Sequence, residues 1–281
     1  MITTILLCTD GSPRAATATD YALWLAGKLS ASLHALYVTD IRLLEGPLLA
    51  DFSGALGAQP YGAMLPQIQQ FQIEKSDAIL AAVKDRCHKD HVPCEVAHET
   101  GNLIHVMLAA ERRADLVVLG QRGEHAPWHG DLLGSTVERL VRASVKPCLV
   151  TPGEFRALRH LLLAYDGSDE SNKALRGGLD LAVALGAEVT IITACQREGE
   201  DAASKFLQDA HRQALDLKLK AHAQLLHGNA ETEILAACEK FGADLIVMGA
   251  YGHTRIREFI LGSNTSHVLR KANVPVWLVR A

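Results

Sequence analysis

The sequence predicts an α/β protein built from two like halves, each a parallel sheet covered by helices on both faces. Three observations carry this prediction. Leu6–Val38 (LLCTDGSPRAATATDYALWLAGKLSASLHALYV) lies over Leu162–Ala194 (LLAYDGSDESNKALRGGLDLAVALGAEVTIITA) without a gap, and Ala114–Gly123 (ADLVVLGQRG) lies over Ala243–Gly252 (ADLIVMGAYG). A repeat this long is a duplicated domain, not a solenoid unit. Short apolar runs alternate with helix-period stretches from end to end, and the apolar runs are nearly continuous, as strands buried on two faces must be. A length of 281 residues fits about two domains, each large enough for its own core.

Each half opens with an apolar strand, Thr3–Thr9 or His160–Tyr165, that runs into Asp-Gly-Ser and then a helix. Ala15, Ala18, Ala22, Leu25 and Leu29 recur at helical spacing in the first copy, and Ala174, Leu181, Ala182 and Leu185 do so in the second. Strands follow at Leu33–Val38 and Val189–Ala194, then a longer amphipathic helix, a third strand (Cys94–His98; His222–Leu226) and a Gly-Asn turn at Gly101-Asn102 and Gly228-Asn229. A helix, a fourth strand (Asp115–Leu119; Asp244–Met248), a glycine-rich loop, another helix and a last strand after Lys146-Pro147 or Val274-Pro275 complete each copy.

The copies differ in one long stretch. Asp40–Pro66 has no counterpart in the second half and is rich in Gly, Pro and Leu, which reads as a surface loop or lid. Pro and Gly break the pattern at Thr151-Pro152-Gly153-Glu154, dividing the chain into units at 1–152 and 157–281. So short a connection predicts that the units pack together about a pseudo-twofold axis, an intramolecular pairing that mimics a homodimer; a homodimer of the whole chain stays open.

Composition excludes several classes of partner. A formal charge of -4 gives no strong pull towards nucleic acid or anionic lipid. The opening MITTILLCTD has no basic leader region, and no uninterrupted apolar run is long enough to span a bilayer, so a cytoplasmic protein with no membrane partner is expected. Cys8, Cys87, Cys94, Cys148, Cys195 and Cys238 form no Cys-x-x-Cys pair and read as small buried hydrophobes.

The chemistry is concentrated after the fourth strands. In the second half Gly249-Ala250-Tyr251-Gly252 is followed, nine residues later, by Gly262-Ser263-Asn264-Thr265 and a helix. Glycines there let main-chain amides approach a ligand, and a Gly-Ser opening onto a helix N-terminus adds unpaired amides and the positive end of the helix dipole, the makings of a phosphate cradle. With Asp10 and Asp166 at the ends of the first strands and the run Lys146-Pro147-Cys148-Leu149-Val150, this chain resembles the universal stress protein family in its tandem form, over both halves almost end to end.

That resemblance implies two flavodoxin-like (adenine nucleotide alpha hydrolase-like) domains. Each would hold a five-stranded parallel sheet of order 3-2-1-4-5, with the ligand at the carboxyl ends of strands one, two and four. It implies ATP, with Mg2+, as ligand. Carried over by position, adenine and ribose would lie against Ala164, Tyr165, Asp166 and Ala194, and ribose and phosphates against Met248, Gly249, Gly252, Gly262, Ser263, Asn264 and Thr265. His253, Arg255 and Arg257 follow the second glycine and offer positive charge, although each reads equally as solvated surface. Asp166 reads either as an acceptor for ribose hydroxyls or as part of a helix cap.

The first half departs from the pattern. Its second site would use Thr9, Asp10, Val38, Leu119, Gly120, Gly123, Gly134, Ser135 and Thr136, but ten residues separate Gly123 from Gly134, and the loop carries Glu124 and Asp131. A carboxylate about 8 Å from a triphosphate costs roughly 2 kcal/mol at an effective dielectric of ~20. The first site is therefore expected to be the weaker one for ATP or suited to another ligand. His125, His129 and Asp131 on that loop read as polar surface rather than as a metal centre.

Three functions stay in view: a regulatory nucleotide-binding protein of the stress response, a slow ATPase or nucleotide transferase, and a ligand-free pairing scaffold. Neither loop supplies a P-loop lysine, a clear catalytic base or paired metal-binding carboxylates, which favours binding over phosphoryl transfer. An electron-carrying flavodoxin relative is disfavoured, because its phosphate loop would follow strand one.

Overall fold

The computed structural model describes residues 2–41, 61–123, 134–196, 199–250 and 263–280, with the main chain alone over 61–65. The first half contains β1 (Thr4–Cys8), α1 (Pro13–Leu29), β2 (Ser32–Asp40), α2 (Tyr61–Lys89), β3 (Cys94–Gly101), α3 (Leu103–Glu111), β4 (Leu116–Gly120), α4 (Ser135–Ala143) and β5 (Cys148–Thr151). The second contains β6 (His160–Ala164), α5 (Asp169–Leu185), β7 (Glu188–Cys195), α6 (Glu200–Asp216), β8 (Ala221–His227), α7 (Ala230–Phe241), β9 (Leu245–Gly249), α8 (Ser263–Lys271) and β10 (Val276–Val279).

Every strand expected from the apolar runs is present. The helix after β1 begins where the sequence can cap it: Ser12 accepts from the Ala15 amide at 3.2 Å with Pro13 in the first turn, and Ser168 accepts from the Ser171 amide at 3.2 Å. The expected loop at Asp40–Pro66 needs a correction at both ends. Asp40 closes β2, and Tyr61–Pro66 are the opening turns of α2, with Pro66 inside the helix. Residues 42–60 lie outside the described residues. Pro66 is the sixth residue of the helix and has no amide N–H, so the residue-62 carbonyl lacks its i→i−4 donor.

The strands form a single ten-stranded sheet in the order β3-β2-β1-β4-β5-β10-β9-β6-β7-β8. Read from its outer edge towards the centre, each half has the order 3-2-1-4-5. Pairing within the halves is parallel, whereas β5 and β10 meet antiparallel with Leu149 opposite Trp277. Those two residues occupy the same position in their halves, so an approximate twofold axis passes between them.

Two apolar layers cover the sheet, and both run through both halves. Residues from alternate strand positions divide them: Ile5, Leu7, Leu161 and Leu163 face one layer with α1, α2, α5 and α6, while Leu6, Cys8, Leu162 and Ile246 face the other with α3, α4, α7 and α8. The period of two along each strand thus buries both faces, which explains why the strands are apolar throughout.

The connection between halves is held against α1. Thr17 Oγ1 donates to the Gly153 carbonyl at 3.1 Å, and the Tyr21 hydroxyl donates to the Glu154 carbonyl at 3.2 Å while accepting from the Arg156 amide at 3.0 Å. Phe155 packs on Tyr21 and Trp24, with ring centroids at 4.8 and 6.3 Å. The short connection is therefore a packed element and not a tether.

Candidate functional site

In the second half the strand order reverses at β6, whose neighbours β7 and β9 lead to helices on opposite faces, and ligand sites in open parallel sheets lie at such a reversal. A cleft of about 550 Å³, open to solvent, lies there at the carboxyl ends of β6, β7 and β9. Its apolar walls are Ala164, Ile192, Ala194, Ile234 and Met248, and its polar groups include Asp166, Ser168 and Asn264.

The turn after β6 explains how Asp166 is held. Gly167 takes a left-handed φ of +79°, which an L side chain resists, and the chain reverses so that Asp166 Oδ1 accepts from the Ser168 amide at 3.0 Å and the Ser168 hydroxyl at 2.6 Å. Ser168 in turn caps α5. The cap is thus the serine, and Asp166 fixes the turn while its residue lines the cleft. Asp10 does the same in the first half, accepting from the Ser12 amide at 2.9 Å. Tyr165 is buried with its hydroxyl donated to Asn172 at 2.9 Å, and burial, then the Asp166 and Asp209 carboxylates, push its phenol above the usual range.

Gly249 ends β9 where α5 crosses it. A Cβ there would stand 2.9 Å from Glu170 Cβ and 3.0 Å from the Ser171 amide nitrogen, so this glycine is required for helix-on-sheet packing as well as for approach to the cleft. Thr265 lines the cleft but is buried, its hydroxyl donated to the Ala250 carbonyl at 2.9 Å; it ties the start of α8 to the end of β9. Ser263 stands exposed at the head of α8.

Of the residues assigned by sequence, Ala164, Tyr165, Asp166, Ala194, Met248, Gly249, Asn264 and Thr265 come together around this cleft. Gly252, His253 and Gly262 lie outside the described residues, as do Arg255 and Arg257. Sequence reasoning missed Ser168, Ser171, Ile192, Ala230 and Ile234. Ala230 and Ile234 are four apart on α7, a helical spacing that marks one face but not what that face meets.

The first half is arranged differently. Gly120 abuts α1 as Gly249 abuts α5, a Cβ standing 3.0 Å from the Arg14 carbonyl. Gly123 lies against Asp10, whose Oδ2 would be 2.7 Å from a Cβ at that glycine. Thr9 accepts from the Gly11 amide at 3.3 Å, Leu119 is buried and Val38 is partly buried. Gly134 returns the chain to Gln121, donating to its carbonyl at 3.4 Å, and Ser135 and Thr136 open α4. Arg14 donates to Gln121 Oε1 at 3.1 Å, and burial, then the neighbouring Arg122 charge, lower its pKa. Glu124, His125, His129 and Asp131 lie outside the described residues.

The fold and this cleft at the strand-order reversal define a tandem, doubly wound α/β protein. The universal stress protein family model matches residues 1–152 and again 157–280, and the chain belongs to that family. It is 34% identical over 284 residues to a universal stress protein of Synechocystis sp., covering 98% of this chain and 99% of that one. A universal stress protein of Mycolicibacterium smegmatis is 27% identical over 273 residues, covering 89% of each chain. The crystal structure of a universal stress protein from Archaeoglobus fulgidus superposes with a TM-score of 0.75 at 22% identity, covering 99% of this chain and 98% of that one, and so shares the fold.

Proposed function

We propose that this universal stress protein binds ATP in the cleft of its second unit, 157–281, as a regulatory or sensing ligand of a cytoplasmic stress response. The observation that supports it best is the convergence of eight sequence-assigned residues on one cleft at the reversal of strand order. The walls suit the parts of the nucleotide. Ile192, Ile234 and Met248 offer apolar surface to a flat base, the Asp166 carboxylate offers an acceptor to hydroxyl or amino groups, and the N-terminus of α8 offers amides and positive potential to phosphate. No cluster of three or more His, Cys, Asp or Glu side chains able to hold a metal occurs among the described residues, so Mg2+ would come with the phosphates and take its ligands from them and from water. The first unit, 1–152, would bind ATP more weakly, because Gly123 already covers Asp10 there.

Calorimetry decides this. The intact chain should bind ATP with Mg2+, and Gly262→Asp should weaken binding about thirtyfold or more, since a carboxylate beside phosphate costs roughly 2 kcal/mol. Gly134→Asp, where a Cβ meets only ordinary contacts at 3.5–3.6 Å, should leave the affinity nearly unchanged. An unaffected Gly262→Asp with a non-binding Gly134→Asp would move the site to the first unit, and no binding at all would leave the pairing scaffold.

A further inference from the structure

Helix α8 is held at its two ends by the same position of the two copies. Ala250 follows β9 in the second half as Gln121 follows β4 in the first, and the repeat lays one over the other. Their main chains match: the Gln121 amide donates to the Thr151 carbonyl at 2.9 Å, and the Ala250 amide donates to the Val279 carbonyl at 2.8 Å. Their outward contacts differ. The Ala250 carbonyl accepts from the Thr265 hydroxyl at the head of α8, at 2.9 Å, whereas Gln121 reaches across the seam and donates from Nε2 to the Leu269 carbonyl near the tail of that helix.

Arg14 sets the direction of this contact. From the first turn of α1 it donates from Nη1 to Gln121 Oε1 at 3.1 Å, so Nε2 is the end of the amide that faces Leu269. An amide turned the other way would set its NH2 group against the guanidinium and its oxygen against a carbonyl, two repulsive contacts at a buried residue. Leu269 is in the last turn of α8, where a carbonyl has no intrahelical amide to accept from. With nine residues α8 is about 14 Å long, and Asn264 and Thr265 at its head both line the cleft. A helix this short shifts as one rod, so the bond at its tail fixes where its head stands. In the second half the matching positions hold Glu170 and Ala250, so neither the orienting cation nor the amide is repeated, and α4 takes its tail contact from Arg280 instead.

We propose that Gln121, oriented by Arg14, is a positioning residue of the second unit's cleft: from across the seam it holds α8 so that Asn264 and Thr265 face the ligand. This rests on the reading of that cleft as the ATP site. The loop after β4 of the first unit thereby serves the site of the second, and the two units act on one ligand although the cleft is lined by the second alone.

The test joins amide NMR spectra of the full chain with calorimetric titration of ATP and Mg2+. Gln121→Met keeps the bulk and removes the donor, while Gln121→Glu keeps an acceptor for Arg14 and turns an oxygen towards the Leu269 carbonyl. In the ligand-free protein each should move the amide signals of Asn264 and Thr265, and each should weaken ATP binding about three- to tenfold, the effect of one lost hydrogen bond. Tyr21→Phe loosens the connection between the halves on the opposite face of the sheet and should do neither. The proposal is overturned if, in a folded Gln121 variant, the changes stop at Leu269 and its neighbours, if Asn264 and Thr265 move while ATP affinity keeps its original value, or if Tyr21→Phe reproduces both effects. Should the unaltered chain bind no ATP, the functional reading falls by itself, and the Asn264 and Thr265 signals alone then decide whether Gln121 positions α8.

Discussion

Arg280 donates from Nη1 to the main-chain carbonyl of Arg142 at 2.5 Å, so a residue after the last strand of the second half closes the end of α4 in the first. The contact has a reciprocal. Gln121 of the first half donates from Nε2 to the carbonyl of Leu269, near the end of α8 in the second. Each of these helices thus has a C-terminal carbonyl, otherwise without an intrahelical partner, satisfied from across the seam. The seam is specified by these caps as well as by the β5–β10 pairing. Arg280→Ala should therefore lower stability by about 1 to 2 kcal/mol, from a lost charge-assisted bond and a lost dipole interaction. Equilibrium urea unfolding measures it, and an unchanged midpoint would mean that water replaces the guanidinium without loss.

Gly249→Ala should destabilise the fold by about 1 to 3 kcal/mol, because the added carbon meets the main chain of α5 rather than a movable side-chain tip. Gly177→Ala is the control. Nothing lies within 4 Å of a Cβ at Gly177 inside α5, so that change should be neutral or stabilise by up to about 1 kcal/mol. Thermal melts of both variants separate packing from general intolerance of glycine replacement.

Tyr21→Phe should loosen the connection between the halves, removing both hydrogen bonds at Glu154 and Arg156 and costing about 1 to 2 kcal/mol at neutral pH. Burial pushes the Tyr21 phenol up to about 12 from its ordinary 10.0. The folded state therefore keeps a proton that the unfolded chain releases. This contribution is full below pH 10.0 and is lost as pH rises towards about 12, so the alkaline fall in stability should be shallower in Tyr21→Phe.

Asp115 supplies a test at the other end of the pH range. Burial would raise its pKa, but bonds from the Thr3 amide and hydroxyl, both at 2.8 Å, and from the Thr4 amide at 3.1 Å outweigh that and hold the carboxyl below its ordinary 3.8. Its contribution is present above pH 3.8 and is lost as pH falls through the lower folded value. Asp115→Asn should flatten that part of the acid limb of a stability–pH curve. An acid limb of unchanged slope would assign the acid loss to other carboxylates.

The strands, the serine-capped helices and the paired Asp-Gly-Ser turns were legible because their causes are local. An apolar run, a cap three residues from its amide and a glycine at a left-handed turn are all written within a few residues of one another. Asp166 shows the limit of that legibility. Its two sequence readings, ligand acceptor and helix cap, could be separated only once the structure put the cap on Ser168 and gave Asp166 the turn. Pro66 was read as ending a loop, but the helix that begins at Tyr61 contains it, because packing against β2 and β3 from the rest of α2 extends the helix through its first turns.

By itself the sequence determined the duplication, the α/β alternation, the family and most of the residues around the cleft. The tertiary structure decided which separate segments meet. It joined β5 to β10 antiparallel to make one sheet of two, brought Ala230 and Ile234 to the cleft wall, assigned Gly249 a packing role and set Arg280 on the end of α4. The physical reason is that hydrophobic periodicity and capping select an element and its buried face, whereas the partner of that face depends on crossover geometry, edge pairing and contacts between residues as much as 148 positions apart.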